Sequence, residues 1–131
     1  MGNDFLISDR VKTYIEKLSK ELHPVQKEII SYNATLGEIK KMQVTVSQCF
    51  FLELITRMSK ARKILEIGTF TGLSTLSMSL GLPDDGSIIT LDKNAETSKT
   101  ASVFFKKASQ NTKIKTIIKG LKIFEFKFLY R

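Results

Sequence analysis

Apolar residues in the first third of the chain recur at helical steps. Leu6-Ile7, Val11, Tyr14-Ile15 and Leu18 fall three and four residues apart, which sets them on one face of a helix. Ser8 or Asp9 can cap its start. Pro24, after Leu22-His23, opens a second short helix from Val25 to about Tyr32, since a first-turn proline gives up no helical hydrogen bond. Asn33 to Gly37 is polar up to a glycine and reads as a loop. A third helix begins near Ser47, carries Phe50, Phe51, Leu54, Ile55 and Met58 on one side, and ends in the turn Ser59-Lys60-Ala61-Arg62.

After Lys63 the rhythm changes. Ile64-Leu65-Glu66-Ile67 is a short apolar run stopped by Gly68, as in a buried strand. Thr71 to Leu82 returns to helical spacing, with Leu73, Leu76 and Leu80 in step. Pro83-Asp84-Asp85-Gly86 signals a turn. Ser87 to Leu91 is a second strand with Asp92 at its carboxyl end, Ala95 to Ala108 a second helix, and Ile114 to Ile118 a third strand. Strand, helix, strand, helix, strand is the βαβαβ half of a doubly wound parallel α/β sheet, with right-handed connections. Beyond it, Phe124, Phe126 and Phe128 alternate with polar neighbours, so the tail could be a further strand that needs cover.

Composition narrows the class. The 131 residues, 42% apolar and 26% charged, suit one globular domain. No apolar run approaches the length that crosses a bilayer, and no basic leader precedes an apolar stretch at the N-terminus, so a membrane partner is not expected. Cys49 is the single cysteine and lies in the apolar run Cys49-Phe50-Phe51-Leu52, where it reads as a small buried hydrophobe. These features imply a cytoplasmic protein. The net charge of +8 raises a nucleic-acid partner. Yet the basic residues are spread along the chain without interleaved aromatics, and a solvated surface is the favoured reading. The one histidine, His23, reads as a surface or packing residue.

Candidate chemistry gathers at the strand ends, where open α/β sheets bind ligands. Glu66-Ile67-Gly68-Thr69-Phe70-Thr71-Gly72-Leu73-Ser74 is a strand-to-helix turn whose glycines allow tight turning and close approach. Glu66 precedes the turn, and Asp92, 20 residues after Gly72, ends the next strand, where a carboxylate can accept from ribose hydroxyls. The G-x-G-x-x-G spacing of dinucleotide sites is absent, and Gly72 is not followed by the Lys-Ser/Thr of a P-loop. An acid at position 66 suits a positively charged ligand. S-adenosylmethionine has a sulfonium and an ammonium group that Glu66 can offset, while Ser74 and the turn amides can take its carboxylate. Either acid alone would be an ordinary strand-end carboxylate; together with the turn they point to this cofactor.

The string Lys63-Ile64-Leu65-Glu66-Ile67-Gly68-Thr69-Phe70-Thr71-Gly72-Leu73-Ser74 resembles the signature of the cation-dependent O-methyltransferases, the group of the caffeoyl-CoA and catechol enzymes. Leu82 to Asp92 and Phe105-Lys106-Lys107-Ala108 continue the likeness, and Met42-Gln43-Val44 with Gln48 and Phe51-Leu52 is similar to the family's segment over the cofactor. The resemblance implies a partial class I methyltransferase, Rossmann-like sheet. Residues 1–60 would form a helical segment and lid, 61–120 a partial S-adenosylmethionine-binding domain, and 121–131 an atypical tail. It also implies that Val44, Glu66, Gly68, Thr69, Ser74 and Asp92 bind the cofactor.

The departures matter equally. Val46-Ser47-Gln48-Cys49-Phe50 replaces the family's Pro-Glu-Gln-Gly-Gln string, and Leu121-Lys122 stands where Pro-Ala follows the family's next glycine. The family activates a small-molecule hydroxyl with a divalent cation held by aspartates and an asparagine beyond the third strand. After Asp92 this chain has only Glu96 and Glu125 as acids, so the metal ligands are absent. The expected reading is an S-adenosylmethionine-dependent O-methyltransferase, truncated and catalytically incomplete. A non-catalytic remnant or interaction module, with a possible homodimer, and a basic nucleic-acid-binding protein are the alternatives.

Overall fold

The computed structural model describes residues 8–119. In order these are α1 (Asp9–Leu18), α2 (Pro24–Asn33), a 3-10 segment (Gly37–Met42), α3 (Val46–Met58), β1 (Lys63–Ile67), α4 (Leu73–Gly81), β2 (Ser87–Asp92), α5 (Ala95–Lys107) and β3 (Ile114–Ile118). The alternating Phe124, Phe126 and Phe128 lie outside the described residues, as do Leu6 and Ile7.

The strands form one parallel sheet in the order β1-β2-β3, with Glu66 paired to Thr90 and Asp92 to Ile118. This is the α/β arrangement of N-terminal helices and a small parallel sheet that the spacing predicts. Right-handed crossovers that step in one direction place their helices on one face. Ile88 and Thr90 on that face are fully buried, and α4 and α5 pack over β2 and β3. Where α2 meets α4 and α5, Ile29, Leu73, Leu76, Ala101, Phe104 and Phe105 form a continuous cluster.

Capping explains the helix starts. Ser8 caps α1, as expected. Pro24 sits in the first turn of α2, but the cap is His23, whose Nδ1 accepts from the Val25 N–H while Gln26 reaches back to the His23 N–H. The lone histidine is therefore a helix cap. Thr45 and Gln48 form the same reciprocal box at α3, so that helix starts at Val46. α4 starts at Leu73 rather than Thr71, because Gly72 takes a left-handed conformation at the cap.

α3 has two faces. It packs closely on α4 through small residues: a Cβ on Gly81 would come within 2.6 Å of the Glu53 carbonyl oxygen. Cys49 and Thr56 are buried there. The large apolar residues Phe51, Leu54, Ile55 and Met58 are exposed instead. Close helix approach favours small side chains, so α3 buries the face of least volume. Burial pushes the Cys49 thiol up, against smaller opposing hydrogen bonds from Ser77 and its own backbone.

Candidate functional site

The turn between β1 and α4 winds through three positive φ angles, at Gly68 (98°), Phe70 (49°) and Gly72 (88°). Two glycines are needed for different reasons. A Cβ on Gly72 would lie 2.5 Å from the Phe105 ring, so the residue lets α5 seat against the turn. Around Gly68 a Cβ would meet nothing within 4 Å, so its backbone stands open to a ligand. The Gly68 N–H bonds to the Leu91 carbonyl at 2.7 Å and carries the β1–β2 ladder into the turn.

Asp92 closes this turn. Its Oδ2 accepts the N–H groups of Thr69 at 2.8 Å and Phe70 at 2.7 Å, and its Oδ1 accepts the Asn94 N–H at 2.9 Å. Converging turn amides form an anion-binding concavity, and the chain's own carboxylate occupies it. That is the physical reason why the turn is not a phosphate cradle. Burial alone would raise the Asp92 carboxyl. The N–H groups of Asn94, Phe70, Thr69 and Lys93 outweigh it and hold the group below the usual aspartate range.

Glu66 is held by hydroxyls. Ser74 Oγ donates to Oε1 at 2.6 Å; Thr75 Oγ1, at 2.5 Å, and Thr90 Oγ1, at 2.6 Å, donate to Oε2. The Thr90 hydroxyl lies 2.7 Å from that of Thr69. With its own proton on Glu66, Thr90 accepts from Thr69. A chain of contacts therefore runs from Glu66 through Thr90 and Thr69 to Asp92, and ties both strand-end acids to one turn. Each carboxylate offers about four acceptor positions; three hydroxyls bond to Glu66, and on Asp92 the two turn amides crowd Oδ2 while Oδ1 takes the Asn94 N–H.

The structure thus brings together Glu66, Gly68, Thr69, Ser74 and Asp92. Val44 is half-buried elsewhere in the helical layer, against the cluster that contains Leu73 and Leu76. Thr75, Thr90 and Asn94 were not legible as site residues. For Thr90 the signal was the register, since its pairing with Glu66 turns a hydroxyl toward the acid on the neighbouring strand. Among the described residues, no three His, Cys, Asp or Glu side chains are grouped to hold a metal ion. No helix among them is long and apolar enough to cross a membrane.

Comparison with known proteins places this geometry in a family. The O-methyltransferase family model matches residues 16–126. The chain is 32% identical over 117 residues to a Dictyostelium discoideum protein named probable caffeoyl-CoA O-methyltransferase 3, covering 88% of this chain and 47% of that protein. It is 40% identical over 76 residues to flavonoid 3',5'-methyltransferase of Vitis vinifera, covering 58% and 32%. The fold superposes on the crystal structure of an O-methyltransferase from Bacillus cereus in complex with SAH, with a TM-score of 0.79 and 25% identity over 87% of this chain and 51% of that one. The chain spans about half the length of the amoebal relative and of the bacterial structure. With the matched segment running from the end of α1 through the turn and the three described strands, the chain belongs to the O-methyltransferase family.

Proposed function

We propose that residues 8–119 form the cofactor-binding half of an S-adenosylmethionine-dependent O-methyltransferase acting on a hydroxyl of a small molecule. The observation that carries this reading is the pair of oriented carboxylates, Glu66 and Asp92, on either side of the open backbone of Gly68. The Oδ1 edge of Asp92, away from the two turn amides on Oδ2, suits a ribose hydroxyl. The Glu66 edge beside Ser74 is negative and acceptor-rich, which suits the cationic end of the cofactor. Thr69 fixes the turn between them, and Val44, from the segment that precedes α3, is the proposed lid contact to the cofactor. When bound, the cofactor supplies an electrophilic methyl group; the chain's residues orient it.

A divalent cation is the family's means of activating the acceptor hydroxyl. The described residues do not fit that group, since they gather no cluster of hard oxygen ligands, and no step is routed through it. Binding without turnover is the expected behaviour of this chain alone. Isothermal titration with S-adenosylmethionine and S-adenosylhomocysteine tests the first half: measurable binding that Asp92→Ala weakens about tenfold or more supports the reading. Absent binding to the folded chain sinks it. A catechol methylation assay with magnesium tests the second half, and clear turnover by this chain refutes the claim of incompleteness.

A further inference from the structure

The three hydroxyls on Glu66 are not equivalent. Thr75 and Thr90, both fully buried, donate to Oε2 at 2.5 and 2.6 Å. Ser74, partly exposed, donates to Oε1 at 2.6 Å. A carboxylate oxygen has about two acceptor positions, so Oε2 is filled by hydroxyls held in the interior. Oε1 has a single donor among the described residues, and it is the donor that solvent reaches.

The fold sets this difference. Thr90 pairs with Glu66 in the β1–β2 register and is itself held by Thr69, 2.7 Å away. Ser74 and Thr75 are consecutive in the first turn of α4, so their side chains leave the helix about 100° apart. One reaches the inner oxygen of Glu66 and the other the outer one.

A serine hydroxyl has one proton to donate. While Ser74 gives it to Glu66, it has none for a ligand. An α-amino-acid end carries an ammonium and a carboxylate on the same carbon. Placed here, its ammonium donates to Oε1, and its carboxylate accepts the hydrogen bond that Ser74 gives up. One bond within the protein is replaced by two charge-assisted bonds to the ligand. Glu66 keeps both inner bonds throughout, so the acid does not swing when its outer partner changes.

We propose that Ser74 is an exchangeable placeholder for the amino-acid end of the ligand, and that Thr75 and Thr90 are positioning residues that keep Glu66 oriented during the exchange. This rests on the cofactor reading and deepens it. Thr90 also supports Thr69, whereas the Thr75 hydroxyl bonds only to Glu66 among the described residues. Thr75 therefore isolates the role.

The test is isothermal titration of the 131-residue chain with three ligands. S-adenosylhomocysteine has the whole amino-acid end, methylthioadenosine keeps the nucleoside without it, and decarboxylated S-adenosylmethionine keeps the ammonium alone. Thr75→Val is expected to weaken S-adenosylhomocysteine about tenfold or more and to leave methylthioadenosine within about twofold, with Thr75→Ser restoring the loss. Ser74→Ala is expected to weaken S-adenosylhomocysteine. It is expected to bind decarboxylated S-adenosylmethionine at least as tightly as the unsubstituted chain does, because no hydroxyl then competes with the ammonium for Oε1. Circular dichroism checks that each variant is folded, and Thr75→Ala carries the same comparison if Thr75→Val is not. Equal losses for S-adenosylhomocysteine and methylthioadenosine in a folded Thr75 variant, or no loss for either, overturn the positioning role. Weaker binding of the decarboxylated ligand by Ser74→Ala overturns the exchange. In both cases binding by the unsubstituted chain leaves the cofactor reading standing. No binding of any of the three by the folded, unsubstituted chain removes the reading and the exchange together.

Discussion

The two faces of the three-stranded sheet are made from similar strands and meet different fates. The helix-covered face presents Ile88 and Thr90, fully buried, together with Glu66 in its hydroxyl cradle. On the opposite face Leu65, Ile67 and Ile89 are exposed, while Leu91 in the middle strand is buried. The site therefore depends on the packed face alone, and hydrophobicity within a strand does not tell which of its residues is under a helix.

The contrast can be broken most severely at the turn. Gly72→Val forces a side chain into the Phe105 ring at a φ of 88°. The expected loss is about 3–5 kcal/mol, read by chemical denaturation. Ile88→Ala, on the packed face, is expected to cost about 2–5 kcal/mol. Thr90→Val keeps shape but removes a hydroxyl that serves both Glu66 and Thr69, for about 1–3 kcal/mol, and Thr90→Ser is expected to restore most of it. Ile67→Ala, on the opposite face, is expected to change stability by no more than about 0.5 kcal/mol. Equal losses at Ile88 and Ile67 would show that Ile67 is covered in solution.

Acid sharpens the same comparison, since Asp92 belongs to the packed side. Its folded carboxyl titrates below the ordinary aspartate range. The stability it contributes is complete above the unfolded value and disappears as pH falls through the folded one. Asp92→Asn is expected to flatten the stability profile in that acidic window, measured by urea unfolding across pH. A profile identical to that of the unsubstituted chain would show that the turn amides do not hold the charge.

Much of the site was legible because it is local. Gly68, Gly72 and Ser74 share one turn with Glu66, and the strand-ending Asp92 followed from the βαβ spacing. Thr75 and Thr90 were not, because a hydroxyl is indistinguishable from a surface residue until the fold sets it beside an acid; Asn94 was not, because it acts through a backbone N–H that almost every residue carries. His23 was read only as surface or packing, since its cap depends on backbone angles that nearby apolar spacing does not report.

By itself, the sequence determined the order of helices and strands, the parallel α/β class and the turn with its two flanking acids. Periodicity, glycine placement and turn chemistry act over a few residues and leave their mark directly in the chain. Tertiary structure alone decided which face of α3 is buried, which strand residues lie under α4 and α5, and that Asp92 fills its own turn's anion hollow. Those outcomes depend on volumes and hydrogen bonds between segments distant in sequence. The small face of Cys49 and Thr56 allows the Gly81 backbone to come close, and the larger apolar stripe is left outside.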